Sequence, residues 1–328
     1  MAAVVKLGPG KLCYLEKLIP QHHEWQQWEV CYCGICKTDR ALAWSDHSEG
    51  RVLGHEVVCR GTDGRFRVLN NEIPCGECEY CQEDWVSHCL HKQELGITHH
   101  GGFATHICAP DSSLHTLSLS DPCLGVLVEP LACVMHGLSR LTHAAALQHT
   151  SAPRVLIVGS GVAGKMFGHL LLHRWTQAHL ALCDIHDDAM AWTQSYPIVC
   201  QQTPQDRHYH MVIECSGSRD GMLTALAAVR DAGVVMIYGV PQAGETLPVS
   251  AREMFERELT LMASMSGCTQ SIFLQALSYV EQHQAFFATL LGKKTDLRQL
   301  PYELLYNPPL PGTRSWVVMS PGRTGSGD

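Results

Sequence analysis

The sequence predicts an α/β protein of two domains, a β-rich unit and a doubly wound parallel sheet, and three observations carry that prediction. Up to about residue 130 the chain reads as short strands broken by turns, with Gly8-Pro9-Gly10, Gly61-Thr62-Asp63-Gly64 and Gly101-Gly102 as punctuation. From about residue 154 strands alternate with helices, the pattern of a parallel sheet covered on both faces. A glycine fingerprint stands at the head of that second region. With 328 residues the chain is long enough to bury two cores.

The elements follow in order. Val155 to Val158 reads as a buried strand, Val162 to Arg174 as a helix, and Leu180-Ala181-Leu182-Cys183 as a strand ending at Asp184. Next come a strand from Met211 to Cys215, a helix from Met222 to Arg230, and strands from Val234 to Gly239 and Leu259 to Ala263. A helix from about Ser271 to Leu291 and a last strand, Ser315 to Met319, are expected to return to the first domain. The expected division is therefore 1–130 and 268–328 for the β-rich domain and 131–267 for the parallel sheet.

Composition excludes several classes of function. The formal charge of -8 argues against non-specific nucleic-acid binding, which needs a basic surface to displace counterions. The apolar stretches read as strand-sized, short of the roughly 20 residues of a spanning helix, so no membrane partner is expected. Met1-Ala2-Ala3-Val4-Val5-Lys6 opens into a strand and lacks an apolar leader, from which a cytoplasmic location is expected. Most of the sixteen cysteines are then reduced thiols, and Cys13, Cys31, Cys33, Cys59, Cys108, Cys123, Cys133, Cys183, Cys200, Cys215 and Cys268 read as packing residues. Trp25, Trp28 and Trp44 read as core or interface.

Cys75, Cys78, Cys81 and Cys89 form the pattern C-x2-C-x2-C-x7-C. Thiolates grouped this closely in a reducing compartment are ligands for a tetrahedral metal, and a closed four-sulfur shell is a structural zinc site. The fingerprint Gly159-Ser160-Gly161-Val162-Ala163-Gly164 follows a strand and precedes a helix, which is the context a dinucleotide site requires. Gly159 permits the tight turn, Gly161 lets the backbone approach a pyrophosphate, and Gly164 allows helix and strand to pack closely. Asp184, 20 residues past Gly164, is placed to accept the adenosine ribose hydroxyls and to repel a 2′-phosphate. That favours NAD, while Arg174 and His186 nearby keep NADP open.

A second set of metal-binding residue types lies upstream, in Gly34-Ile35-Cys36-Lys37-Thr38-Asp39 and Gly54-His55-Glu56, with Glu129 a further candidate. Cysteine and neutral imidazole are zinc ligands, and a carboxylate can complete the sphere or orient the histidine. Three protein ligands leave a position open, which distinguishes a catalytic zinc from a structural one. Spacing alone does not group these residues.

In this order, G-I-C-K-T-D, G-H-E, C-x2-C-x2-C-x7-C, E-P-L-A-C-V-M-H-G, V-L-I-V-G-S-G-V-A-G, V-I-E-C-S-G and Y-G-V-P resemble the zinc-dependent medium-chain alcohol dehydrogenases over nearly the whole chain. The likeness is to the polyol (sorbitol) and threonine dehydrogenase branch. It implies a GroES-like β-rich catalytic domain carrying both zincs, a Rossmann domain, a dimer or tetramer, and a small-molecule alcohol or ketone as partner. Cys36 and His55 become catalytic-zinc ligands, with Glu56 and Glu129 competing for the remaining sites. Thr38 matches the hydroxyl that passes on the alcohol proton, Lys37 a basic residue reaching the cofactor pyrophosphate, and Arg314 an arginine that contacts the cofactor phosphates. Asp39 would support the ligands from behind.

The activity implied is hydride transfer between a secondary alcohol of polyol, amino alcohol or cyclitol type and NAD. Two other readings stand beside it: a non-catalytic zinc- and nucleotide-binding protein on the same scaffold, and an NADPH-dependent sugar-phosphate reductase. The chain departs from the family pattern in three places, one being a compact interval from Cys36 to His55 that bears on the shape of the substrate pocket. Only twenty positions separate His55 from Cys75, so a hairpin is trimmed, and Arg40-Ala41-Leu42-Ala43 lacks the histidine common after the zinc-bound cysteine.

Overall fold

The computed structural model describes residues 1–16, 24–141, 150–242, 244–247, 249–266 and 269–319. The chain divides into two compact units, Met1–Ala132 with Gly267–Asp328, and Cys133–Ser266.

The first unit is built on a seven-stranded sheet in the order Leu291–Asp296, Arg314–Val318, Gln26–Gly34, Glu56–Arg60, Phe66–Leu69, Leu114–Thr116, with His106–Ala109 also pairing to Gln26–Gly34. The last strand of the described chain lies antiparallel to Gln26–Gly34, so the segment after residue 269 completes this sheet. Its core joins Val4, Val30, Cys33, Leu53, Val57, Leu69, Phe103, Ile107 and Val317, apolar side chains from segments far apart in sequence. Trp28 is buried, whereas Trp44 is 54% exposed, which removes the core reading for Trp44.

The second unit is a six-stranded parallel sheet in the order Ile198–Cys200, His179–Cys183, Arg154–Val158, Tyr209–Glu214, Val229–Ile237, Thr260–Ala263. The middle strands are buried on both faces, which is why they read as unbroken apolar runs rather than alternating ones. Strand order reverses between Arg154–Val158 and Tyr209–Glu214, and ligands of open α/β sheets bind beyond the carboxyl ends at such a reversal.

Several expected elements differ in detail. The three-residue edge strand Ile198–Cys200 carries too little pattern to read, and Cys200 is exposed rather than packed. The helix expected from Ser271 to Leu291 is broken. It runs Gln270–Gln282, stops at His283 with φ -119° and ψ 33°, resumes for Gln284–Ala288, and gives way to the strand Leu291–Asp296. Pro122–Leu141 forms 20 helical residues long and apolar enough to cross a bilayer, which corrects the expectation of strand-sized stretches. Val126, Leu127, Val128, Leu131, Ala132, Val134, Leu138 and Leu141 are all buried inside the protein. Cys268 and the polar C-terminal tail lie outside the described residues.

One histidine ties pH to the stability of the second unit. The Arg154 N–H donates to His210 Nδ1 at 3.1 Å, joining the starts of two central strands. Burial, helped by Arg230 and Arg154, pushes the His210 pKa down to about 4. The unfolded chain binds this proton near pH 6.5, the folded one only near 4, so stability is full above about 6.5 and falls as pH drops toward 4. His210→Asn keeps an acceptor near the Nδ1 position without the titration. Melting curves should show a smaller loss of Tm between neutral pH and the lower end of that window in the variant than in the parent, and equal losses would refute this linkage.

Candidate active site

Three strand ends meet at one edge of the first unit's sheet. Gln26–Gly34 ends two residues before Cys36, Glu56–Arg60 begins at Glu56 just after His55, and Arg314–Val318 begins at Arg314. Antiparallel register sets Gly34 opposite Glu56 on one side and opposite Trp316 on the other. Residues far apart in sequence thus become neighbours through backbone pairing.

Cys36 is the N-cap of the helix Lys37–Trp44, where Asp39 Oδ2 accepts the Cys36 N–H at 2.8 Å. Asp39 Oδ1 accepts the Gly54 N–H at 3.1 Å and lies 3.2 Å from His55 Nδ1. Asp39 is fully buried, and its bond to Nδ1 leaves Nε2 as the nitrogen that would ligate a metal. Ligand atoms of Cys36, His55 and Glu56 all lie within 4.8 Å of one another.

Burial opposes ionisation of Cys36, but Arg314 and His55 draw its pKa below the ordinary thiol value. Burial likewise opposes charge on His55, and Asp39 and Cys36 overcome it, lifting its pKa well above the usual imidazole range. Each thus favours the charged form of the other, and a divalent cation would take the place of the proton between them. Glu56 has both oxygens buried without a directed hydrogen bond, although Oε1 is 3.2 Å from Arg314 Nη2. Burial raises its pKa to about 7 against the pull of Arg314. Thiol, imidazole and a buried carboxylate with free lone pairs make a donor set that suits zinc.

Gly34 is a residue whose part only the structure reveals. A Cβ there would fall 2.0 Å from Glu56 Oε2, so the carboxylate occupies space that any other residue would fill. Glu129, buried in the first turn of Val128–Leu141, stands outside the three-residue group and raises the pKa of Glu56 through its charge. Thr38 Oγ1 lies 3.6 Å from Cys36 Sγ. Lys37 is exposed at the helix start. Arg314, expected at the cofactor phosphates, here faces Glu56 and donates to the Ile35 carbonyl at 3.3 Å.

The four-cysteine cluster is equally well defined. Sγ atoms are 3.5 Å apart for Cys78 and Cys81, 3.5 Å for Cys75 and Cys89, and 3.9 Å for Cys75 and Cys81. A tetrahedron with zinc–sulfur bonds of about 2.3 Å has edges of about 3.8 Å, so these separations match four thiolates around one ion. They are far too long for disulfides. The loop is pinned at its base by the ladder of Glu72–Ile73 with Gln93–Glu94 and by Lys92, which pairs with Glu94 at 3.0 Å and donates to the Ser87 carbonyl.

In the second unit Gly159 turns with φ +101° directly after the strand Arg154–Val158. A Cβ on Gly164 would fall 1.9 Å from the Gly159 carbonyl oxygen, whereas a Cβ on Gly161 would meet nothing within 4 Å. Helix and strand thus touch at Gly164. At Gly161 the backbone opens onto free space at the N-terminus of the helix Val162–Arg174, where N–H groups and the helix dipole favour a pyrophosphate. Asp184 Oδ2 accepts the Ser160 N–H at 2.5 Å, which turns the acidic residue onto this loop.

Comparison with known proteins shows what the chain is similar to. Residues 27–119 match the alcohol dehydrogenase GroES-like domain. The chain is 24% identical to D-altritol 5-dehydrogenase of Agrobacterium fabrum over 81% of its own length and 84% of that protein. It is 22% identical to D-arabinitol dehydrogenase 1 of Uromyces fabae, over 77% and 78%. Glucose dehydrogenase of Haloferax mediterranei, solved in complex with NADP, Zn and gluconolactone, shares the fold with a TM-score of 0.82 at 20% identity, over 98% of this chain and 100% of that one. Its motifs, the GroES-like domain over residues 27–119 and these relatives make the chain similar to zinc-type medium-chain alcohol dehydrogenases, among them enzymes named for polyols.

Proposed function

We propose that this protein is a zinc-dependent oxidoreductase that transfers a hydride between a secondary alcohol of the polyol type and a nicotinamide dinucleotide, with NAD as the cofactor. The observation that carries the proposal is the buried cluster of Cys36, His55 and Glu56 within 4.8 Å, clamped by Asp39. Those three residues would hold the catalytic zinc, and Cys75, Cys78, Cys81 and Cys89 a structural one. When bound, zinc withdraws electron density from an oxygen ligand and lowers the pKa of a hydroxyl.

The chain's own residues supply the rest. Asp39 fixes the imidazole ring, and Arg314 balances the charge of Glu56. Thr38, beside Cys36, would relay the hydroxyl proton, accepting it while passing its own on toward solvent, as the carbinol carbon gives its hydride to the nicotinamide and the alcohol leaves as a ketone. Gly159, Gly161 and Gly164 would cradle the cofactor pyrophosphate, and Asp184 its adenosine ribose. A polyol substrate is taken from the relatives, two of which are named for altritol and arabinitol. Every described cysteine is a free thiol, which suits a reducing cytoplasm.

The sugar-phosphate reading needs spare cations, and Arg40 is not one: it donates to the carbonyls of Glu303 and Leu304 at 2.9 and 3.0 Å. The test is reduction of NAD by zinc-loaded protein with a panel of pentitols, hexitols and amino alcohols. Turnover with a polyol is expected. Tight NAD binding with no turnover on any member would leave the non-catalytic scaffold as the better reading.

Two variant sets probe the site. Asp39→Asn should lower zinc affinity or turnover by roughly 10–100-fold, the usual cost of losing the group that orients a ligating histidine. Gly34→Ala should displace Glu56 and lower zinc occupancy of this site while far-ultraviolet circular dichroism stays unchanged; full occupancy would contradict Glu56 as a ligand. Elemental analysis should find two zinc ions per chain by the reading above. Cys89→Ser should lose the structural one and make the 75–92 loop sensitive to protease, and retained zinc with a protected loop would count against the tetrahedral assignment.

A further inference from the structure

One charged side chain at the dinucleotide loop has no part in the scheme above. Lys165 directly follows Gly164, as the fourth residue of the helix Val162–Arg174. It is only 8% exposed, although lysine is rarely buried unless paired. Among the described residues no hydrogen bond or ion pair engages its ammonium. Helical side chains lean toward the helix N-terminus, so a long one at this position is carried back toward the glycine loop. Burial pushes the Lys165 pKa below its ordinary value, and the carboxylate of Asp184 opposes that fall. Asp184 is held in place by the N–H groups of Ser160 at 2.5 Å and His186 at 2.9 Å.

An acidic residue at the end of the second strand takes the adenosine ribose hydroxyls and repels a 2′-phosphate. A cation held close to that carboxylate, beside the same glycine loop, weakens the repulsion. We propose that Lys165 is a cofactor-selecting residue whose ammonium offsets the charge of Asp184 and admits the 2′-phosphate of NADP to a loop otherwise built for NAD. The proposal rests on the dinucleotide reading of the glycine loop and deepens it, since Asp184 alone would make NAD exclusive.

The test is binding rather than turnover. Full-length protein, Lys165→Met and Lys165→Arg are titrated with NADH and with NADPH, following nicotinamide fluorescence. The parent should bind both, with dissociation constants within roughly tenfold of each other. Lys165→Met, of similar length without the charge, should weaken NADPH by roughly tenfold or more, as expected for one lost charge-assisted contact, and NADH by less than about threefold. Lys165→Arg should restore NADPH binding. Should the methionine variant not fold, Lys165→Gln makes the same comparison. An unchanged ratio of the two affinities, or equal weakening of both in a variant that melts normally, would overturn the proposal as the signature of a merely structural lysine. A parent protein that binds neither nucleotide would overturn the dinucleotide reading itself.

Discussion

The carboxylate of Asp39 is the constraint on which the metal-ligand cluster depends. Fully buried, it accepts the Cys36 and Gly54 N–H groups and meets the His55 ring, so one side chain fixes both a thiol and an imidazole. Its bond to Cys36 is local, the reciprocal cap of a helix start, and those to Gly54 and His55 are not. A buried carboxylate without partners costs several kcal/mol, and here the partners that offset that cost belong to the ligand segments themselves. Helix initiation, strand docking and ligand aim are therefore one event. The eight-residue helix could not stand alone, being shorter than the length at which isolated helices become even marginal.

Around that clamp the charges are arranged at a cost to stability. Glu56, Glu129 and Arg314 influence one another in a region where apolar side chains of similar volume would often be as stable or more so. Arg314 is held well above its already high pKa, first against burial and then by Glu56, Cys36 and Glu129, so it stays a cation throughout. A permanent positive charge beside a thiol, with two carboxylates close by, keeps the thiol ready to ionise without leaving the site strongly anionic. The burial of Glu56 is tolerated because Gly34 leaves it room and Arg314 gives it a counter-charge.

The four-cysteine loop solves a different problem. Its one α-helical turn, Glu79–Gln82, buries none of its side chains, and Trp85 and Leu90 are exposed. Such a segment cannot offset its ordering entropy by hydrophobic burial. Backbone N–H groups of Leu90 and Cys81 already lower the Cys78 pKa to about 6, and the Cys75 N–H donates to Cys89 Sγ at 3.3 Å. The backbone thus favours a thiolate at Cys78, whereas burial and the neighbouring thiols push Cys81 up to about 12; a metal bound there would displace that proton and contribute its binding free energy directly to folding.

How much of this could be read from the chain follows from the range of each interaction. The parallel sheet was legible because its signals are local: unbroken apolar strands such as Val155 to Val158, the glycine turn after them, and the helix Val162–Arg174 found where it was expected. The cysteine cluster was legible for the same reason, since four ligands fall within fifteen residues. The second ligand set was not, because Gly34 meets Glu56 only through antiparallel register, and Arg314 reaches both from a strand near the other end of the chain. Spacing could not separate Glu56 from Glu129 for that reason; two carboxylates with similar sequence credentials differ only in which element delivers them. Gly34 shows the limit most sharply. In the sequence it is one glycine among 28, and its meaning lies in an atom it lacks, opposite a side chain 22 positions away.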